Sequence, residues 1–243
     1  MKRTIHGMDA YAKMVSTPLP AKTDTYTPIS HSSVVNRMRA EITKAGFIIN
    51  DENYRCTNDG QIALGTLKIN YKSDPDIQLA ANFTNSYNKQ LAFRFSLGGI
   101  VKVCSNGMII TNDKFGAYKR VHKGSADILA EGKISDFISD ADEYWNTLVE
   151  HKDKLKSITV NPEKKYSILG VLFYDLELLN TMQLNIIKNE IKNPSFSYGS
   201  AHTNSAWVLY NHITLALKEA HPSTWMEDQS VVHETFDTAF SLS

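Results

Sequence analysis

Long apolar runs are missing from this sequence of 243 residues, and none approaches the roughly 20 residues that a membrane-spanning helix needs. The opening segment MKRTIHGMDA is followed by polar, Pro/Thr-rich residues and not by the apolar stretch of a secretory signal. These absences predict a cytoplasmic protein without a membrane segment. The hydrophobic content of 42% is enough to form a buried core.

Cysteine is scarce, and the sequence signatures of metal sites, phosphate loops and thiol proteases are missing. Cys56 and Cys104 are the only two cysteines, and we expect both to be free thiols. The eight histidines form no HExxH motif, and there is neither a CxxC pair nor a GxxxxGKS/T loop. We therefore expect no metal, no cofactor and no catalytic residue. A pairing of Cys104 as nucleophile with His122 as base is disfavoured, because no local protease signature surrounds the cysteine.

An excess of one charge sign is also missing from the whole chain, yet its two halves differ. Residues 1–124 hold 17 of the 26 Lys and Arg but only 9 of the 26 Asp and Glu, and residues 125–243 hold the remainder. Such asymmetry is typical of a nucleic-acid-facing half beside an acidic half. It equally fits two halves that attract each other within the fold or between subunits.

The order of patterns along the chain predicts a flexible N-terminal arm, residues 1–30, followed by one α+β domain, residues 31–243. Apolar residues at helical spacing predict a short helix that ends near Gly46: Val35, Met38, Ile42 and Ala45. Strand-like segments separated by turn residues then predict a curved antiparallel meander: FIINDENYRC, QIALGTLKINY, DIQLAANFT, QLAFRFSL and IVKVC. Gly98-Gly99, between the last two, is expected to form a bulge.

The part from 125 to 243 is expected to be helical and to pack against the sheet formed within 31–124. Ser125 is a candidate cap for a helical run that reaches Leu155 with an interruption near Gly132 or Ser139. Asn161-Pro162 predicts the start of one long apolar helix that ends near Asn193-Pro194. A final helix is expected from about Thr203.

The alternation of the strands leaves a polar, basic face opposite the apolar one. Basic residues mixed with aromatic ones suit phosphate tracking and base stacking, so we interpret this surface as a nucleic-acid interface. An ordinary solvated sheet face stays open as the alternative. The candidate binding residues are Lys68, Lys72, Arg94, Lys102, Lys114, Phe115, Tyr118, Lys119, Arg120 and Lys123.

The stretch VKVCSNGMII places a compact polar turn between two apolar runs. Asn-Gly is a strong hairpin signal because both residues tolerate positive φ, and Ser105 can assist by local hydrogen bonding. Cys104 would then be a small buried residue that closes the strand. We expect Asn106-Gly107 to form the turn.

Three motifs together resemble the phage/plasmid-like proteins grouped as domain of unknown function 932. They are an Asn-Ser turn before a strand, a CSNG turn after it, and a W-x-x-Y-N-x-x-T helix near the C-terminus: Asn85 and Ser86; Cys104, Ser105, Asn106 and Gly107; Trp207, Tyr210, Asn211 and Thr214. The resemblance spans about residues 30 to 220 and departs at Asn88, where the family often has an acidic residue. It implies a mobile-element context and assigns no activity. We favour a structural role for these residues, since an aromatic stripe at helical spacing usually packs in a core.

Taken together, these patterns favour a noncatalytic nucleic-acid-binding protein of a phage or mobile element, in the host cytoplasm if it is phage-encoded. Single-stranded DNA binding or annealing in replication or recombination is the form we favour, with the chain as a homo-oligomer. Two alternatives stay open. One is an anti-defence or host-takeover protein that binds a host protein through the acidic half, and the other is an unrecognised enzyme.

Overall fold

The computed structural model describes residues 4–110, 118–199, 201–218 and 220–243, except for the side chains of 126–131 and 137. Its antiparallel sheet follows the order β1-β2-β3-β4-β5, after which β6 and β7 both pair with β5. The predicted meander and its antiparallel order are confirmed. The strands are β1 Thr4–His6, β2 Ile48–Thr57, β3 Ile62–Asn70, β4 Ile77–Ser86, β5 Phe93–Val101, β6 Gly107–Met108 and β7 Tyr118–Arg120.

Helices supply the other part of the fold and confirm the α+β class. They are α1 Gly7–Ser16, α2 His31–Lys44, α3 Ala126–Ser139, α4 Ala141–Ser157, α5 Pro162–Gly170, α6 Thr181–Lys192, α7 Ala206–Ala216 and α8 Trp225–Phe240, with a π-helical turn Val171–Asp175 after α5. Within the described residues, none of these helices combines the length and apolar character that crossing a membrane requires.

One face of the sheet lies in the main core. The central strands pair without a register shift, so their apolar side chains align on this face. Leu67 of β3 lies opposite Ala81 of β4, which lies opposite Leu97 of β5, and all three are buried. Side chains two residues apart along each strand share this face. Trp207 of α7 is fully buried in the same core.

The Gly98-Gly99 pair does not form the expected bulge. Both residues lie within β5, opposite Ala80 and Leu79 in unbroken register. A Cβ at Gly98 would come within 2.8 Å of the Asn82 amide nitrogen, so close packing explains the glycine. The sheet's irregularity lies instead in β2, between Ile49 and Asp51.

Residues 4–30 do not form an arm apart from the core. β1 pairs with β2, and α1 buries Ala10 and Met14, which lie one helical turn apart. Tyr26 and Ile29 of the Pro/Thr-rich segment are buried as well. The sequence interpretation gave weight to the Pro/Thr composition and overlooked the short helix before it.

The long helix expected between Asn161 and Asn193 is interrupted. It consists of α5, the π-helical turn, a non-helical link and α6. Asn180 starts α6 through a capping box with Gln183, in which each side chain accepts from the other residue's backbone N–H. The apolar residues continue across the link, so the sequence pattern did not reveal that a new helix begins at Thr181. The interruption expected near Ser139 is present, between α3 and α4.

The last helix, α8, was missed by the sequence interpretation. Trp225, Val232 and Phe236 have the spacing of one helical face, a signal that the charged and polar residues between them obscured. The second half of α8 buries Val232 and Phe236 in the main core. The first half lies over the other face of the sheet, where Trp225 and Met226 cluster with Leu64 and Ile109.

The burial of Phe236 predicts a large loss of stability on truncation. Phe236→Ala should lower the free energy of unfolding by about 3–5 kcal/mol, because it removes a buried ring and leaves a cavity. Thr238→Ala, at an exposed position of the same helix, should stay within about 0.5 kcal/mol. Denaturant unfolding measures both. Similar values for the two variants would show that α8 is not part of the core.

Candidate nucleic-acid interface

The second face of the sheet, expected to be an exposed polar surface, is covered along its middle by α8. Asn82, Thr84 and Ser96 on this face are at most 2% exposed. Thr66 donates a hydrogen bond to the Asn82 side-chain oxygen at 2.9 Å. The face is therefore polar as predicted but largely enclosed, and its accessible parts lie on either side of the helix.

Three of the predicted binding cations form ion pairs. The ammonium of Lys68 is 2.9 Å from Asp51, and that of Lys72 is 2.6 Å from Asp142. The guanidinium of Arg94 is 2.7 Å from Glu227 at the start of α8. The carboxylate is exposed in each pair, and exposed pairs contribute about 0–1 kcal/mol, so a phosphate group can compete for the cation.

Lys102 is exposed and lies beside a buried ion cluster. Its ammonium donates to the backbone carbonyl of Asp74. Lys152, only 3% exposed, lies 2.5 Å from the Asp74 carboxylate, and Lys156 lies 2.6 Å from Asp76. Hydrogen bonds from Lys152 and from the amides of Ile77 and Asp76 outweigh burial and hold the pKa of Asp74 below its usual range. These contacts tie α4 to the start of β4.

The remaining predicted residues lie at or beside β7. Lys119 is exposed and pairs in register with Arg94, and Lys123 is exposed beyond the strand. The Tyr118 ring packs edge-on against Phe93 at a centroid distance of 6.3 Å, which leaves only part of the ring accessible. Arg120 is half-buried. Lys114 and Phe115 lie outside the described residues.

A basic pocket of about 120 Å³ opens on the second face, beside the start of α8. Its cationic side chains come from β2, β3 and the segment after α7: Arg55, Lys68 and Lys218. His6 and Ser105 also line it, and no carboxylate is among its described lining residues. The register explains the grouping, since Arg55 lies opposite Leu64 and shares a face with Lys68.

Hydrogen bonds hold two of these cations at the pocket wall. The Arg55 guanidinium donates to the backbone carbonyls of Lys218 and Ala220. The Lys218 ammonium donates to the carbonyl of Cys104 at 3.1 Å. Sequence reasoning missed Arg55, Lys218 and His6. Alternation along β2 could have indicated Arg55, but only the tertiary fold brings Lys218 to the sheet.

The CSNG turn differs in detail from the expected Asn-Gly hairpin. Positive φ occurs at Ser105, at 58°, and not at Asn106 or Gly107. The amide of Val101 donates to the Asn106 carbonyl, so the loop spans four residues. Gly107 is required for another reason, because a Cβ there would lie 2.8 Å from the Trp225 indole.

The CSNG turn and the W-x-x-Y-N-x-x-T helix contact each other. The Asn106 side chain donates to the backbone carbonyl of Asn211 at 2.9 Å, and the Cys104 thiol donates to the Asn211 side-chain oxygen at 3.7 Å. Asn211 in turn donates to the carbonyl of Trp207, and Thr214 donates to that of Tyr210. All of these residues are buried. The contacts are those of a packing junction between the sheet and α7.

The thiol of Cys104 lacks the surroundings of a nucleophile. Burial raises its pKa to about 11, and the side chain is 3% exposed. His122, its hypothetical base, follows β7 near the start of β5, whereas Cys104 follows the end of β5. Cys56 and Cys104 are both free, as expected. Among the described residues, no group of three or more His, Cys, Asp or Glu is arranged to hold a metal.

The Asn85-Ser86 motif closes the other end of β4. The Asn85 amide donates to the carbonyl of Ile29 at 2.7 Å and lies 3.0 Å from Nδ1 of His31. Ser86 exchanges hydrogen bonds with the backbone of Leu91. Burial lowers the pKa of His31 to about 3, so its ring is neutral near pH 7.

Comparison with known protein families gives a match over most of the chain. The model of a family described as Domain of unknown function (DUF932) matches residues 18–234, which is nearly the whole chain. Neither the curated proteins nor the solved structures contain a match.

The close approach of Gly107 to Trp225 predicts the effect of adding a single methyl group. Gly107→Ala should destabilise the protein by about 1–3 kcal/mol, because overpacking must displace the indole or the turn. Gly132→Ala is a matched control in a helix where the new Cβ meets nothing within 4 Å, and it should be neutral or stabilising. Chemical denaturation measures both. Equal effects would contradict the proposed contact.

Asp228 in the first turn of α8 predicts a pH-dependent stability difference. Burial raises the pKa of its carboxyl group to about 6, above the value of about 3.9 in an unfolded chain. The native state therefore binds more protons between these values, and this group's contribution to stability falls as pH rises from about 4 to 6. Asp228→Asn should melt above the wild type at pH 7, and the difference should shrink below pH 4. A pH-independent difference would contradict the assignment.

Proposed function

We propose, from the premise that the chain belongs to the family described as Domain of unknown function (DUF932), that it is a noncatalytic single-stranded nucleic-acid-binding protein of a phage or mobile element. DNA binding or annealing during replication or recombination is the specific role we propose. The basic pocket on the second face of the sheet carries this proposal. The pocket gathers Arg55, Lys68 and Lys218 from three separate segments without a lining carboxylate among its described residues.

The pocket suits one backbone phosphate. Its volume of about 120 Å³ accommodates a phosphate group but not a nucleotide, and its cations offer charge-assisted hydrogen bonds. Arg55 is held in place by two backbone carbonyls, so little side-chain freedom would be lost on binding. The Lys68–Asp51 pair at the rim is exposed on its acidic side and weak enough to exchange for a phosphate contact.

A nucleic-acid strand needs further contacts beyond this pocket. Lys119 of β7 and Lys123 beyond it provide exposed cations. Arg94 lies opposite Lys119 and would join them if a phosphate replaced its partner Glu227. We propose that a strand contacts the pocket and this region on the two sides of α8. A homo-oligomer would repeat these contacts along a longer strand.

Salt dependence of oligonucleotide binding tests the proposal. The logarithm of the affinity for a single-stranded DNA oligonucleotide should fall with the logarithm of salt concentration, by about 0.7 per contacted phosphate. Lys68→Gln and Lys68→Gln/Lys218→Gln should weaken binding and flatten this slope by about 0.7 for each lost phosphate contact. Fluorescence anisotropy at several salt concentrations measures the effect.

Lys188→Gln serves as the control, because Lys188 is exposed on α6 and does not line the basic pocket. It should leave the slope unchanged, and all variants should unfold at nearly the wild-type denaturant midpoint. An unchanged slope in the double variant would show that the pocket does not bind phosphate. Absence of binding by the wild type at low salt would overturn the function itself.

An exposed apolar surface supports a second candidate function, binding of a host protein. Large side chains of α5, the π-helical turn and the start of α6 are 39–81% exposed: Tyr166, Phe173, Tyr174, Leu176 and Met182. All five lie within 17 residues of the chain, and exposed apolar patches often mark a protein interface. On this alternative, an anti-defence or host-takeover role, Tyr174→Ser should abolish co-purification of one host protein while DNA affinity stays unchanged.

A further inference from the structure

A second cavity, of about 360 Å³, lies in the helical part of the molecule. It is bounded by the start of α5, the end of α6, residues 194–199 and 201–205, and one face of α7. Its volume is at the lower end of the range for small-molecule sites, about 300–1,000 Å³. The basic pocket shares no lining residue with it among the described residues.

The walls of this cavity are apolar and aromatic. Val160, Ile191, Val208 and Leu209 line it, together with the ring of Phe196. The Tyr198 ring is tilted by 53° to that of Phe196 at a centroid distance of 6.5 Å. Such walls favour a flat ring, which makes stacked or edge contacts with aromatic side chains.

Polar groups in the cavity are cationic or neutral. Lys165 and Lys192 line it, and no carboxylate is among its described lining residues. His212 also lines it and is 3% exposed, but its Nδ1 has no hydrogen-bond partner. The nearest acidic group, Glu190, is 3.8 Å from that nitrogen and instead accepts from the amide and hydroxyl of Ser195.

A buried polar nitrogen without a partner is unfavourable, and a hydrogen-bonding group that reached it on binding would relieve that cost. The two lysines supply positive charge where an acidic group would lie. We propose that this cavity binds a small organic anion with an aromatic ring, of about the size of a nucleoside monophosphate. The ring lies against Phe196 and contacts His212, and the acidic group contacts Lys165 and Lys192. This site does not depend on nucleic-acid binding at the sheet.

Calorimetry of the full chain with four probes tests the class of ligand. Adenosine monophosphate should bind saturably and at least about tenfold more tightly than adenosine, which lacks the anion, and inorganic phosphate, which lacks the ring. Naphthalene-2-sulfonate distinguishes a general site for aromatic anions from a nucleotide site. If it binds as adenosine monophosphate does, the site accepts aromatic anions in general. If only adenosine monophosphate binds, the site is specific for a nucleotide. Absence of saturable binding by both aromatic anions, or equal binding of phosphate, would overturn the proposal.

Variants locate the site and separate it from the sheet. Lys165→Met/Lys192→Met should reduce adenosine monophosphate binding to the level of adenosine, whereas Lys188→Met, exposed on the same α6, should leave it unchanged. Lys165→Met/Lys192→Met should keep the wild-type salt slope of DNA binding. Loss of adenosine monophosphate binding is therefore distinguishable from loss of DNA binding. The imidazole NMR signals of His212 should shift with ligand while those of His31 do not. An unchanged His212 with bound ligand would place the ligand elsewhere.

Discussion

The contact between Gly107 and the indole of Trp225 determines how the second face of the sheet is used. Because Gly107 has no side chain, the indole approaches the backbone of β6, and the first half of α8 lies over the middle of the sheet. The same contact places the segment before α8 beside Arg55, whose guanidinium holds the carbonyls of Lys218 and Ala220. The basic pocket therefore exists because the helix is seated where it is.

Some of the opposite charges of the two halves of the chain pair with each other within the fold. Lys72 and Arg94 from the basic half pair with Asp142 and Glu227 from the acidic half. In the buried cluster the signs are reversed: Asp74 and Asp76 of the first half pair with Lys152 and Lys156 of the second. Buried ion pairs add little net stability but are costly to break, so this cluster fixes the position of α4 against the sheet. Lys72 and Arg94, two of the predicted binding residues, thus also take part in attraction within the fold.

The two cavities differ in the chemistry that they offer. The pocket at the sheet is small and basic and suits a group, such as a phosphate, that remains attached to a larger molecule. The cavity in the helical part is three times larger, has aromatic walls, and contains a buried imidazole nitrogen without a partner. Two of the family motifs contact these regions. Ser105 lines the basic pocket and the Cys104 carbonyl accepts from Lys218, while α7 presents Val208, Leu209 and His212 to the larger cavity.

The sequence by itself determined the α+β class, the antiparallel order of the central strands and the burial of their apolar face. Alternation with a period of two is a local property, so Leu67, Ala81 and Leu97 could be assigned to one face from spacing alone. The contact between the CSNG turn and Asn211 was not predictable, because more than 100 residues separate its partners in the chain. The tertiary structure alone decided that Lys102 donates to the Asp74 carbonyl, that α8 covers the polar face, and that Lys218 joins Arg55 and Lys68. Those outcomes depend on which distant segments meet, and the physical reason is close packing: a missing Cβ at Gly107 admits an indole from a helix whose own sequence pattern gives no indication of where it will lie.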